Sequence, residues 1–228
     1  MLLERLGYFL AHYLQKVSPG YSPVATTDPE KLKRAIKPGD ILLVEGNLRI
    51  SVAIKYLTQS TWSHAAVYIG DDTLIEVDML EGVIKVPLSK YTGFHTRICR
   101  PVNLLPEDRE KFLSFLNSRL GMQYDMKNAI DLVRYLLPIP PVPVKWRRRM
   151  LALGSGDPTR AICSTMIAQA FGKIGYPILP VNAGRETETM HIRHYSLYTP
   201  RDFDVSPYFQ IVKPTIEDGF NYKDVRLG

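Results

Sequence analysis

The chain has 228 residues, 45% of them hydrophobic and 23% charged, with a formal net charge of +6. This balance excludes a disordered chain, and the length fits one generous domain or one domain with appendages. No stretch reaches the roughly 18 uninterrupted apolar residues of a membrane span. Its two cysteines, Cys99 and Cys163, are too few for a disulfide framework or a Cys-rich zinc site.

The N-terminus reads MLLERLGYFLAHYLQKV. Glu4 and Arg5 stand where a secretory signal wants an apolar run, and no small-residue cleavage site follows. Leu2, Leu3, Leu6, Phe9, Leu10, Tyr13 and Leu14 fall near helical spacing, which predicts an amphipathic helix. The turn-rich segment 18–29 predicts a loop and 30–36 a short helix. Lys37-Pro38-Gly39-Asp40 is a turn before the apolar strand 41–44, and 48–58 reads as another helix.

The strongest β pattern is 63–69, a gap at Gly70-Asp71-Asp72, and 73–78, a predicted hairpin. Further strands are expected at 82–86 and 96–102. From Pro106 to Gly121 the apolar positions take helical spacing, and 126–137 predicts a helix stopped by Pro138. A Pro-rich run then leads to the basic Lys145-Trp146-Arg147-Arg148-Arg149. Residues 162–174 predict a helix ending at Gly175, and 209–212 a last strand. Strands followed by helices argue an α+β fold with an antiparallel sheet packed against helices.

Cys163 sits where a Gly-Ser-Gly-Asp-Pro loop gives way to that last helix. Unpaired N–H groups and the positive end of the helix dipole stabilise thiolate over thiol and can hold an oxyanion. The plainer alternative is a buried inert thiol, which suits Cys99 between Ile98 and Arg100. His64 opens the strand Ser-His-Ala-Ala-Val-Tyr-Ile-Gly. Alternation places His64, Ala66 and Tyr68 on one face and Ala65, Val67 and Ile69 on the other. The small Ala65 and Ala66 leave room for a closely packed helix such as that of Cys163.

Glu76 lies between apolar residues on the next strand, where a carboxylate needs a partner. A hairpin loop with an odd number of residues puts His64 and Glu76 on one face, and the carboxylate can then fix the imidazole. A two-residue loop puts them on opposite faces. His12, His95, His191 and His194 compete as candidate bases, and the i, i+3 pair His191 and His194 lacks further well-placed ligands, so no metal or other cofactor is expected.

Lys37-Pro-Gly-Asp-Ile-Leu-Leu, Trp62-Ser-His-Ala-Ala-Val-Tyr-Ile-Gly, Leu74-Ile-Glu-Val, Gly121-Met-Gln-Tyr-Asp and Ile162-Cys-Ser, in this order, resemble the circularly permuted NlpC-type papain-like hydrolases. The branch is similar to the YiiX/YebB-like proteins, relatives of the lecithin:retinol acyltransferase group. The resemblance covers roughly residues 37–175, with 198–212 resembling the family's closing segment. It implies a permuted papain-like fold with the His before the Cys. It also implies a Cys163 nucleophile, a His64 base and Glu76 as the polar third residue, with Tyr124 lining the site and Trp62 beside it as a second substrate-binding candidate. Residues 1–36 then form an N-terminal extension and 37–228 the catalytic domain, with a Pro-rich and basic insertion at about 138–150.

The expected activity is hydrolysis or acyl transfer at an amide, ester or thioester through a Cys163 acyl-enzyme. The first helix and the Trp-containing basic run suit an anionic membrane interface and lean toward lipid or acylated substrates, although the helix can equally cap the core. Cell-wall-derived peptides are the alternative substrate class, and a non-catalytic binding module on the same fold is the second alternative. No nucleic-acid recognition motif accompanies the positive charge. The expected location is cytoplasmic, with peripheral contact at the inner membrane face.

Overall fold

The structure is a computed structural model, which describes residues 12–19, 24–25, 27–123, 162–180, 195–219, 221 and 223. In chain order the elements are α1 (Pro29–Ala35), β1 (Ile41–Val44), α2 (Arg49–Thr58), β2 (His64–Gly70), β3 (Thr73–Asp78) and β4 (Gly82–Pro87). A 3-10 turn (Leu88–Tyr91) follows, then β5 (Thr96–Pro101), α3 (Pro106–Asn117), α4 (Ile162–Lys173), α5 (Pro200–Asp204), β6 (Phe209–Val212) and α6 (Pro214–Glu217). The helix expected at 126–137 and the insertion at 138–150 lie outside the described residues.

The strands form one six-stranded sheet in the order β4-β3-β2-β1-β5-β6. Every neighbouring pair is antiparallel. β1 is central, and its four residues, Ile41, Leu42, Leu43 and Val44, are all fully buried. That is why this strand reads as a continuous apolar run rather than an alternating one. On one face Ile41, Leu43, Ala65, Val67, Ile75 and Cys99 pack with Ile167, Ala168 and Phe171 of α4 and with Phe112 and Leu116 of α3. On the other, Leu42, Val44, Ala66, Tyr68, Leu74 and Ile98 pack with Leu32, Ala35 and Ile36 and with Leu88 and Tyr91 of the 3-10 turn.

The expected gap beside β2 is therefore used on both faces, by α4 against Ala65 and by a separate cluster against Ala66. The turn before β1 is anchored by Asp40, 2% exposed. Its carboxylate accepts from the Lys37 N–H at 2.8 Å and from Arg100 Nε and Nη2 at 2.9 and 2.7 Å. Gly39 meets this turn with φ of +95°, a conformation a β-carbon makes costly.

Two expectations about the N-terminal part meet the described structure. α1 is built into the second core cluster through Leu32 and Ala35. Of the first helix only its end is described. There Leu14 is fully buried, the Gln15 amide donates to Asp78 at 3.0 Å, and Val17 bridges Leu48. This end docks on the body, as a capping helix does.

Candidate active site

The residues that matter gather where β2 begins. Gly70 pairs with Thr73 across a loop of only two residues, Asp71 and Asp72, both with positive φ. By parity alone this two-residue loop separates His64 and Glu76 onto opposite faces. The ladder corrects that. Between Tyr68 and Gly70 the register shifts by a bulge, so Tyr68 pairs Leu74 and Val67 pairs Ile75. The extra residue, Ile69, returns Glu76 to the face of Ala66 and His64. The expectation that a two-residue loop breaks this pairing is thus overturned, because a bulge can supply the missing residue.

Glu76 is 2% exposed. Its Oε2 lies 3.2 Å from His64 Nε2 and accepts from Tyr91 Oη at 2.6 Å, while Oε1 accepts from Lys90 Nζ at 2.6 Å. Burial pushes the carboxyl up, but bonds and charge from His64, Lys90 and Tyr91 overcome it and hold the group at about 2. Burial and the Glu76 charge push the Tyr91 phenol far up, so it stays a donor.

On the other side of the ring stands Cys163, 5% exposed, in the first turn of α4. No β2–β3 pair is registered from Ala66 back to His64, beyond the Val67–Ile75 pair. The Ser164 hydroxyl lies 3.9 Å from the sulfur. Burial pushes the thiol up. The His64 charge, its hydrogen bond, the Ala65 N–H and the Ser164 hydroxyl together pull it below the ordinary thiol value. Burial pulls the imidazole down, and the Cys163 sulfur and Glu76 carboxylate more than reverse this, leaving it raised. With Nε2 committed to Glu76, Nδ1 is the ring nitrogen left for the sulfur. Each of these directions favours the charged form of its group.

Cys163, His64 and Glu76 are therefore brought together. Trp62 is 2% exposed, its Nε1 donates to Asp204 at 3.0 Å, and Arg97 stacks 4.9 Å from its ring. These partners enclose the indole. Tyr124, His191 and His194 lie outside the described residues. His12 is exposed, and His95 Nδ1 lies 3.1 Å from Glu45. Cys99 is buried and its thiol is pushed up by desolvation, as expected for an inert cysteine.

Two partners escaped the sequence reading, Lys90 and Tyr91. A buried carboxylate demands donors, and the first polar pair after β4 was the place to look for them.

The comparisons with known proteins agree with this architecture. No protein-family model matches the chain. The solved structure titled "metalloprotein yiiX" from Escherichia coli O157:H7 (DUF1105) aligns with a TM-score of 0.50 at 14% identity, over 78% of this chain and 97% of that one. The curated Escherichia coli K12 protein called "Probable lipoprotein peptidase YaeF" is 24% identical over 176 residues, which is 69% of this chain. The chain is similar to both proteins, and the likeness to yiiX shows a shared fold. In this chain the strand that opens on His64 precedes the helix of Cys163. The alignment spans 64% of the length of the peptidase-named relative. Among the described residues no three His, Cys, Asp or Glu side chains are gathered for a metal, and no helix is long and apolar enough to cross a membrane.

Proposed function

We propose that this chain is a cysteine hydrolase that cleaves an acyl bond through a covalent Cys163 intermediate. The observation that carries the reading is the continuous line from the Cys163 sulfur through the His64 ring to the Glu76 carboxylate. In the resting state the thiolate faces the imidazolium. The sulfur attacks the acyl carbon of the substrate, and the N–H groups at the start of α4 stabilise the oxyanion. His64 gives its proton to the leaving group as the tetrahedral adduct collapses to a thioester. The neutral imidazole then takes a proton from water, whose oxygen attacks the thioester. The acid departs and the ion pair is restored. Throughout, Glu76 fixes the ring orientation and balances its charge.

A peptide amide is the substrate class favoured by the name of the 24% identical relative. Lipid or acylated substrates, and transfer to an amine or alcohol instead of water, are the finer readings to test beside it. The structural relative is titled a metalloprotein. The donor set here does not fit a cation at Glu76, because an ammonium already lies 2.6 Å from one carboxylate oxygen and a phenol 2.6 Å from the other. No step is routed through a metal.

The test is a panel of p-nitrophenyl esters, lipid amides and short muropeptides run on wild type and Cys163→Ala. The variant should lose turnover and labelling by a thiol-directed acyl probe. Full activity in Cys163→Ala rejects the mechanism.

A further inference from the structure

The three groups just described leave one charge relation unexplained. Ionised Glu76 next to a thiolate–imidazolium pair makes two negative charges against one positive. In a site this enclosed, the excess would raise the thiol's proton affinity and weaken the pair it is meant to support. The fourth charge comes from Lys90, whose ammonium lies 2.6 Å from Glu76 Oε1. Tyr91, the next residue in the same 3-10 turn, donates to Oε2 at 2.6 Å. Together with His64 they fill three directions around the carboxylate and fix it. The Lys90 side chain is 40% exposed, while the carboxylate it meets is 2% exposed. The lysine therefore keeps part of its solvation while neutralising a buried charge.

We propose that Lys90 and Tyr91 are positioning residues that act through Glu76, with Lys90 supplying the charge that lets Cys163 ionise beside a buried carboxylate. The inference builds on the ion-pair reading above. The titratable groups around this site on the packed elements are His64 of β2, Glu76 of β3, and Lys90 and Tyr91 of the turn. Asp78 of β3 lies behind, held by the Gln15 amide. Neutralising Lys90 removes a positive charge from this set and moves the thiol's midpoint upward. A lysine that merely braced the turn would leave that midpoint in place.

The experiment measures the rate of iodoacetamide alkylation of Cys163 against pH, localised by mass spectrometry, in wild type, Lys90→Met, Lys90→Arg and Tyr91→Phe. The midpoint should rise by roughly half a pH unit or more in Lys90→Met. It should return toward wild type in Lys90→Arg, which keeps charge and donors, and rise by less in Tyr91→Phe. A Lys90→Met midpoint that is unmoved or lowered, or a Lys90→Arg midpoint equal to that of Lys90→Met, overturns the proposal. Alkylation reads the thiol directly. Turnover surviving in Cys163→Ala would sink the hydrolase reading without touching this result, so the two fail separately.

Discussion

Replacing Glu76 by Gln isolates the charge at the centre of the site while keeping its shape. The carboxylate accepts from three donors, two at 2.6 Å and one at 3.2 Å. Gln retains one oxygen. If that oxygen faces His64 and Tyr91, its amide nitrogen opposes the Lys90 ammonium, and Lys90 swings to solvent. One charge-assisted hydrogen bond is then lost and two are weakened, each worth about 1.5–3 kcal/mol when intact. The acid–base route gives a similar size, because a carboxyl held at about 2 rather than the ordinary 4.5 corresponds to about 3 kcal/mol.

The sign fixes where this appears. A depressed folded value favours folding fully above the unfolded value, and the advantage is lost as pH falls through the folded one. Urea unfolding of wild type and Glu76→Gln should therefore differ by about 3 kcal/mol near pH 6. The gap should shrink steadily from about pH 4.5 downward, as wild type loses an advantage that the variant never had. A gap that stays constant from pH 6 to pH 3 would refute the claim that Glu76 is ionised and paired in the fold.

Three further outcomes follow from the same contacts. His64→Ala removes the positive charge facing the sulfur, so Cys163 alkylation at pH 6 should slow by at least about tenfold, and an unchanged rate would separate the two groups. Trp62→Phe should cost about 1–2 kcal/mol through the lost bond to Asp204, measured by urea unfolding, and leave the KM for any substrate found in the panel unchanged; a raised KM would place the indole in the substrate site. Asp40→Ala strands Arg100 and frees the Lys37 N–H, and thermal unfolding should report a loss of about 3–5 kcal/mol; a loss below ~1 kcal/mol would show that the turn holds without its anchor.

Much of the fold was legible because its signals are local. β1 announced itself as a short apolar run, α3 by Pro106 and the spacing of Phe112 and Leu116, and α4 by a helical pattern after a glycine-rich loop. Cys163 and His64 were legible for the same reason, one by its place at a helix start and the other by its place at a strand start. What stayed hidden depends on contacts between segments distant in sequence. Trp62 stands beside His64 in the chain, so it read as part of the site. Its indole turns to Asp204, 142 residues away. Lys90 follows a strand in an ordinary polar turn, and only the buried carboxylate above it gives it a role.

The bulge in β2 carries the deepest lesson, because it decides whether the site exists. A strand has period two, so one inserted residue exchanges its faces. The tight Asp71-Asp72 turn closes the hairpin as two-residue turns with positive φ do, and by itself it would leave Glu76 facing α4. Ile69, the residue gained at the bulge, rotates the rest of β2 by one place. Ala65 then keeps to the helix face, while His64 and Glu76 share the other. Gly70, at φ of +103°, adopts the conformation this needs at little steric cost. Beyond the Val67–Ile75 pair no β2–β3 pair is registered, and the Ala65 N–H there acts on the Cys163 sulfur. One residue in a hairpin thus aligns the carboxylate with the imidazole.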